Sequence, residues 1–318
     1  MSVMDKIIQI ETPTPFGIGN ANSFLIVGDT LSIVDVGTNF PAAEEAMIQA
    51  ISEQGYRVTD IEQIILTHHH PDHIGLTDLF ANATVLGHAY NDFFLKRNEA
   101  FFEYQARFYL NQLREEGVPS AYNRWVEKMT REVSYMGSKP LTTILKDGDS
   151  VPGHPQLRAV ETLGHAQSHL MFVNENERYA FGGDLLIQLI ASNPLIEPPL
   201  DPAMPRPKSQ LQYNASLKKL ASYELETVFS GHGEPVLNSV ELIEQRLNKQ
   251  QSRAEKVLAL IDAPLSAFEI TERVFPTKFS QQLGLTLSST IGQLDYLIEQ
   301  NRLKATLNHE GVLLYERT

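Results

Sequence analysis

Short apolar runs separated by turn-forming residues recur along the first three quarters of the chain and predict β-strands. In the first half these runs cover residues 7–11, 23–27, 31–37, 61–66 and 83–87. A helix is predicted from Pro41 to about Gln54, because Asn39 can cap it, proline is tolerated in a first turn, and Gly55 ends it. Later strands are predicted at residues 141–145, 157–161, 178–182 and 227–229, with a helix at 209–223.

Residues 91–140 differ from this pattern, because residues 91–135 are helical in character and rich in aromatic side chains. The residues Gly117 to Ser120 divide the stretch into two predicted helices. Two interpretations stay open: a lid that walls a substrate pocket, or an inserted helical pair that packs on the core. The lid hypothesis places three side chains in the pocket: Phe101, Phe102 and Phe108.

A proline-rich segment, residues 188–208, is predicted to be irregular and to pass the rim of that pocket. Residues 238–318 then show a long helix at 238–260, two shorter helices that include 266–270 and 287–300, and a hairpin around residues 308–311. This order predicts a winged-helix-like unit. Its would-be recognition helix contains Asp295 and Glu299 but no Lys or Arg, so a packing role is favoured over nucleic-acid binding.

Composition narrows the class of protein. A hydrophobic content of 42% and a charged content of 20% are ordinary for a soluble globular chain, and no apolar run reaches the length of a membrane span. The net charge of −13 disfavours a nucleic-acid partner. The chain has no cysteine, and its first six residues lack a signal pattern, so a cytoplasmic protein is expected. The oligomeric state stays open, a homodimer included.

The densest chemical signal is Thr-His-His-His-Pro-Asp-His at residues 67–73, directly after a predicted buried strand. Four of the ten histidines of the chain fall within these seven positions. In an extended segment His68 and His70 point the same way and His69 points away, while Asp72 and His73 follow the turn at Pro71. Imidazole and carboxylate groups together suit zinc, manganese or iron, so the motif predicts a metal site.

This H-x-H-x-D-H motif after an apolar strand resembles the signature of the metallo-β-lactamase superfamily. The resemblance implies an α+β fold, a four-layer αβ/βα sandwich, over residues 1–237, followed by the small winged-helix-like domain. It also implies three downstream ligands in the order His, Asp, His, each after a strand. His165, Asp184 and His232 stand at such places. Around His165 the chain departs from the usual family pattern, since it has Leu163, Ala166 and Ser168 in place of Pro, Thr and Gly.

By that resemblance the ligands form two sets that hold two divalent ions, with zinc expected first and manganese or iron also suitable. His68, His70 and His165 would hold one ion, Asp72, His73 and His232 the other, and Asp184 would bridge them. The resemblance also gives Asp35 a supporting role beside the ligands, although a simple strand-end turn explains it equally well. His169 is expected to be a core or supporting residue.

The expected reaction is hydrolysis by a hydroxide held between two metal ions, with Asp72 orienting it or moving its proton. The favoured substrate is a small molecule, an ester, thioester or lactone with an apolar part. Two other reactions stay open, phosphodiester hydrolysis and a sulfur dioxygenase reaction at one iron, because fold alone does not decide among them. A metal-dependent binding protein without catalysis is a further alternative.

Overall fold

The computed structural model describes residues 6–318, so five of the six residues to which the prediction of no signal pattern refers lie outside it. Its strands are β1 (Lys6–Thr12), β2 (Ala21–Val27), β3 (Leu31–Val34), β4 (Gln63–Ile65), β5 (Thr84–Gly87), β6 (Thr143–Ile144), β7 (Ser150–Val151), β8 (His154–Glu161), β9 (Leu170–Asn174), β10 (Tyr179–Gly183), β11 (Thr227–Ser230), β12 (Leu303–Leu307) and β13 (Leu313–Arg317). Its α-helices are α1 (Pro41–Glu53), α2 (Pro71–Ile74), α3 (Asn91–Leu95), α4 (Glu99–Glu115), α5 (Arg124–Glu132), α6 (Ser209–Ala221), α7 (Ser239–Ala259), α8 (Ala267–Val274) and α9 (Leu283–Glu299).

The strands form two main sheets and one hairpin. The first sheet has six strands in the order β1-β2-β3-β4-β5-β6, and the second has five in the order β11-β10-β9-β8-β7. Strands β3, β4 and β5 are parallel to one another, and so are β10 and β11. The carboxyl ends of the parallel neighbours therefore meet at the same edge of each sheet.

Alternation along the strands explains how the two sheets pack. In β2, Phe24 and Ile26 are buried in the core between the sheets, together with Phe172 and Phe181 of the second sheet. Leu25 points to the opposite face and packs in the cluster that contains the buried residues of α1. The first sheet is thus covered by helix on its outer face.

The second sheet repeats this arrangement. Met171 and Val173 of β9 face away from the inter-sheet core and pack with Leu217 and Leu220 of α6. Helix, sheet, sheet and helix follow one another, so the predicted four-layer αβ/βα sandwich is confirmed.

The aromatic stretch forms helices, as predicted. Asn98 caps α4 by accepting a hydrogen bond from the Phe101 amide, and the residues around Gly117 separate α4 from α5. Both helices contribute to one hydrophobic cluster with the C-terminal helices, through residues such as Tyr109, Val126 and Ile291. The inserted segment and the C-terminal unit therefore share a core, and the domain boundary at residue 237 stays a prediction.

The C-terminal unit consists of α7, α8, α9 and the β12–β13 hairpin. Most of α9 is buried, and its Asp295 accepts two hydrogen bonds of 2.8 Å from the Arg206 guanidinium. A helix buried in this way packs against the rest of the chain and does not present a recognition surface. None of the helices in residues 6–318 is long and apolar enough to cross a membrane.

Two boundaries near the histidine-rich motif differ from the prediction. Strand β3 ends at Val34 and not at residue 37, because Asp35 has a φ of 54° and leaves the extended conformation. The turn expected at Pro71 is a single turn of helix, α2, which itself contains Asp72 and His73. Both differences move carboxylate and imidazole groups toward the sheet edge.

Candidate metal centre

The predicted ligands converge at one edge of the sandwich because each follows a strand. Residues 67–73 follow β4, and His165 follows β8. Asp184 comes directly after β10, and His232 comes two residues after the end of β11. The structure brings all seven predicted ligands together, as sets of donor atoms that lie within 4.8 Å of one another.

The first set consists of His68, His70 and His165. The Nδ1 atom of His70 lies 3.0 Å from Nε2 of His68 and 3.0 Å from Nε2 of His165. Three imidazole nitrogens at such distances face one common point, which is the arrangement expected of ligands to one ion.

The second set consists of Asp72, His73 and His232. Oδ1 of Asp72 lies 3.8 Å from Nε2 of His73, and its Oδ2 lies 3.5 Å from Nε2 of His232. All three side chains are buried.

Asp184 lies between the two sets. Its Oδ2 atom is 3.5 Å from Nε2 of both His165 and His232, and its Oδ1 atom is 3.5 Å from Nε2 of His73. Asp184 would therefore be within reach of ions held by either set, and its bridging role stays a prediction.

Hydrogen bonds on the far side of each ring fix which nitrogen faces the centre. Four Nδ1 atoms have an oxygen partner: His68 has Thr67 Oγ1 at 3.0 Å, His73 has Asp35 Oδ2 at 2.8 Å, His165 has the Asn193 carbonyl at 3.2 Å, and His232 has the Asn20 carbonyl at 2.7 Å. The Nε2 lone pairs of these rings are thereby left for the centre.

Asp35 supports two parts of the centre at once. Its Oδ1 accepts a hydrogen bond from the Thr67 amide at 2.8 Å, and its Oδ2 accepts bonds from the Thr67 hydroxyl at 2.7 Å and from His73 Nδ1. The left-handed backbone of Asp35 aims the carboxylate under the motif. These contacts favour the supporting role over a simple turn.

Neighbouring carboxylates strongly shift the pKa values of the histidines in the second set. Burial lowers the pKa of His73, but the carboxylates of Asp184, Asp35 and Asp72 outweigh it and raise that pKa to about 9. Burial likewise opposes protonation of His232, yet Asp184 and Asp72 raise its pKa to about 11. In the first set, burial and the neighbouring rings lower the pKa of His165 to about 4.

The polar atoms of the centre also fit a metal. Within the described part of the chain, His73 Nε2, His232 Nε2 and Asp184 Oδ1 are buried and make no hydrogen bond. Buried polar atoms are rarely left without a partner, and divalent ions would satisfy these three. Gly231 leaves the necessary room, because a Cβ there would lie 2.3 Å from Asp184 Oδ1.

Comparison with known proteins agrees with this geometry. Residues 16–232 match the family model described as the metallo-beta-lactamase superfamily. The chain is 35% identical to the probable metallo-hydrolase YqjP of Bacillus subtilis (strain 168), over 99% of this chain and 98% of the relative.

The chain belongs to the metallo-beta-lactamase superfamily.

Two further similarities fit this membership. The crystal structure of the metallo-beta-lactamase family protein TTHA1429 from Thermus thermophilus superimposes with a TM-score of 0.80, at 27% identity and over 98% of both chains. The atrochrysone carboxyl ACP thioesterase of Aspergillus fumigatus is 22% identical over 77% of this chain and 61% of its own length. With its His and Asp sets, the chain is a metal-dependent hydrolase with a site for divalent metal.

His69 points away from the two sets, as the sequence predicted. Its Nδ1 lies 2.8 Å from the Ser168 hydroxyl, its ring stacks on Phe94, and its Nε2 lies 3.2 Å from Glu197 Oε1. Ser168 is one of the residues at which the chain departs from the usual superfamily loop. The hydroxyl at this position therefore holds His69, which a glycine could not do.

Sequence reasoning missed Glu197, which lies in the proline-rich segment. Its Oε1 is 3.6 Å from Nε2 of His70, and its Oε2 accepts a hydrogen bond of 2.6 Å from the Gln167 amide. Burial raises the pKa of Glu197, but His69 and His70 outweigh it and hold that pKa well below the ordinary value. A buried carboxylate thus faces the outer nitrogen of a predicted ligand.

His169 also supports the centre, in agreement with its expected role. Its Nε2 accepts a hydrogen bond of 3.2 Å from the Asp184 amide, and its Nδ1 lies 2.8 Å from the Thr162 hydroxyl. Gly183 makes this approach possible, because a Cβ there would lie 2.9 Å from His169 Nε2.

Two cavities of about 310 Å³ each open beside the centre. The metal-side cavity reaches Asp72, His165 and Asp184. The aromatic cavity extends from His70 toward the inserted helices and is walled by Phe94, Tyr109, Trp125, Met136 and Ile196.

The three phenylalanines predicted for the pocket line neither cavity, which corrects that prediction. Phe101 is buried and stacks on Phe93 with a centroid distance of 4.1 Å, and Phe102 packs against the same core cluster. Phe108 packs on Tyr109 in the cluster of the C-terminal helices. The inserted helices still wall the aromatic cavity, but with side chains one or more positions away.

Proposed function

We propose that this metal-dependent hydrolase cleaves an ester, thioester or lactone bond in a small molecule with an apolar portion. The observation that carries the proposal is the lining of the two cavities. Their described lining residues include no Lys or Arg, and half of them have apolar or aromatic side chains. Such walls suit an uncharged carbonyl compound with a hydrocarbon or aromatic part.

The residues of the centre have distinct roles in this proposal. His68, His70 and His165 would hold one ion, Asp72, His73 and His232 the second, and Asp184 would contact both. Two such ions supply an activated water at neutral pH and polarise the bond under attack. Zinc is expected first, and the donor set also suits manganese and iron.

Asp72 is the proposed catalytic residue of the chain itself. Burial raises the pKa of its carboxyl group, but His73 and His232 outweigh it and the net shift is downward. Asp72 is therefore a carboxylate at neutral pH, and it lines the metal-side cavity. A carboxylate there can orient a water molecule and accept its proton.

Phosphodiester hydrolysis fits the cavities less well. A phosphodiester carries a negative charge, and the charged residues at the walls that the structure describes are Asp72, Glu132, Asp184 and Glu197. A reaction at a single iron would use only one ligand set. The second set is also complete and buried, and such a reaction would leave it without a role.

The experiment is acid release by metal-loaded protein in a pH-stat, with a thioester, a lactone, an ester and a phosphodiester of similar size. We expect turnover of one acyl class that a chelator abolishes. Asp184→Ala should remove that turnover while the far-ultraviolet circular dichroism stays unchanged. Turnover of the phosphodiester alone, or full activity in Asp184→Ala, would contradict the proposal.

A further inference from the structure

The aromatic cavity is closed on one side by the C-terminal unit. Gln281, Gln282, Gly284, Leu285 and Ser288, from the start of α9 and the residues before it, line its wall. The inserted helices and the proline-rich segment form the other walls. At about 310 Å³ the cavity is at the small end of the range for ligand pockets, which is roughly 300–1,000 Å³.

Gly284 fits closely against the inserted segment. A Cβ at this position would lie 2.3 Å from Cζ2 of Trp125, so glycine lets the indole ring come this close to the first turn of α9. Trp125 also packs edge-to-face on Tyr109, whose hydroxyl donates a hydrogen bond of 3.0 Å to the Ile196 carbonyl. The cavity wall at Trp125 is therefore held by contacts among three segments, namely α9, the inserted helices and the proline-rich segment.

Leu285 lies where the aromatic cavity meets the metal-side cavity. It lines both of them and is 47% exposed. Leu195 lines both cavities as well. His70, Pro71 and Glu132 complete the set of residues that line both cavities, and the two leucines are the side chains of that shared boundary contributed by α9 and the proline-rich segment.

The same turn of α9 is tied to a predicted ligand. The Leu285 carbonyl accepts a hydrogen bond of 3.2 Å from Asn193 Nδ2, and the Asn193 carbonyl accepts one of 3.2 Å from His165 Nδ1. The Ser288 hydroxyl accepts a hydrogen bond of 3.3 Å from the Ile196 amide. The wall of the cavity is thus fixed in position relative to the metal centre.

We propose that the aromatic cavity is the subsite for the hydrocarbon part of the substrate, and that the first turn of α9 determines the chain length it accepts. Leu285 bounds the cavity on the side of the metal centre, and Gly284, through Trp125, bounds it at the far side. The inference rests on the proposed function only for the identity of the ligand as an acyl compound.

Trp125 provides a direct probe, since it is the one tryptophan in the sequence. The full-length, metal-loaded protein is titrated with straight-chain alkyl amides of increasing length, and indole fluorescence is recorded. Each added methylene should tighten binding about fourfold, the effect of burying one CH₂ group, until the cavity is full. Beyond that length the affinity should stop rising.

Leu285→Ala tests the role of α9. Removing this side chain should join the two cavities. We therefore expect short amides to bind more weakly, and the chain length at which affinity stops rising to increase by about two or more carbons. Leu307→Ala is the matched control, because Leu307 is 67% exposed on the β12–β13 hairpin and lines neither cavity. Its chain-length profile should equal that of the wild type.

Two results would overturn the inference: no amide changes the Trp125 emission, or Leu285→Ala keeps the wild-type chain-length profile. Failure of the proposed function gives a different result. If acyl turnover is absent while the fluorescence titration still depends on chain length and on Leu285, the subsite stands and the reaction assignment falls. If acyl turnover is present and the amides leave the Trp125 emission unchanged, the reaction assignment stands and the subsite falls.

Discussion

Asp35→Asn should weaken metal binding without unfolding the protein. Asparagine keeps the size of the side chain and tolerates the left-handed backbone at this position. Its carbonyl oxygen can still accept the Thr67 amide. Its NH₂ group, however, would then face the Nδ1 hydrogen of His73, which now bonds to Asp35 Oδ2 at 2.8 Å.

Two donors cannot share that contact, so the proton of His73 is driven to Nε2, the nitrogen that faces the centre. Loss of such a supporting partner typically costs about 10–100-fold in metal affinity. This corresponds to about 1.4–2.7 kcal/mol of binding free energy. Asp35→Ala should be worse, because each of the Thr67 and His73 donors would be orphaned at about 1–3 kcal/mol of unfolding free energy.

The assay is competition between the protein and a chromophoric chelator for zinc, which resolves the affinity of each ion. Asp78→Asn is the matched control: Asp78 also accepts hydrogen bonds from the amide and hydroxyl of one residue, Ser138, but it is exposed and holds no predicted ligand. Wild-type affinity for both ions in Asp35→Asn would refute the supporting role of the carboxylate.

Three further predictions concern the same centre. Glu197→Gln should weaken binding of one ion about tenfold or more, because the carboxylate that faces His70 is lost. The affinity of the variant for metal is measured by isothermal titration calorimetry, and an affinity equal to that of the wild type would contradict this prediction. In chelator-treated protein the unfolding free energy from urea titrations should fall as pH rises from about 6.5 toward 9. The folded state holds protons on His73 (pKa about 9) and His232 (pKa about 11) that the unfolded chain has released, so a flat profile would count against the charge arrangement. Gly231→Ala places a methyl group 2.3 Å from the central carboxylate and should abolish binding of the second ion, measured as bound metal per chain; two bound ions in this variant would be inconsistent with the geometry.

The strands and the histidine-rich motif were predicted from local signals, and the resemblance carried by that motif implied the sandwich and the downstream ligands. Short apolar runs identify strands such as β2, and His and Asp residues that closely follow a strand lie near the edge of its sheet. The position of Asp184 directly after β10 is of this kind.

The cavity walls depend on contacts that the sequence pattern does not contain. Glu197 lies in a proline-rich segment without periodicity, so nothing local indicates that it reaches His70. The count of aromatic residues in α4 does not tell which of them face the cavity, and Phe101 turned out to be a core residue. The predicted helix at 287–300 starts too late, since α9 begins at Leu283 and Trp125, which is distant in sequence, packs on Gly284 in its first turn.

The most direct test of the account is a metal titration of metal-free protein in which bound zinc per chain and turnover of an acyl substrate are measured on the same samples. The two complete ligand sets and the carboxylate of Asp184 between them predict that turnover rises until two ions are bound and then stays constant. Full turnover at one ion per chain, or turnover that does not depend on bound metal, would contradict the binuclear centre.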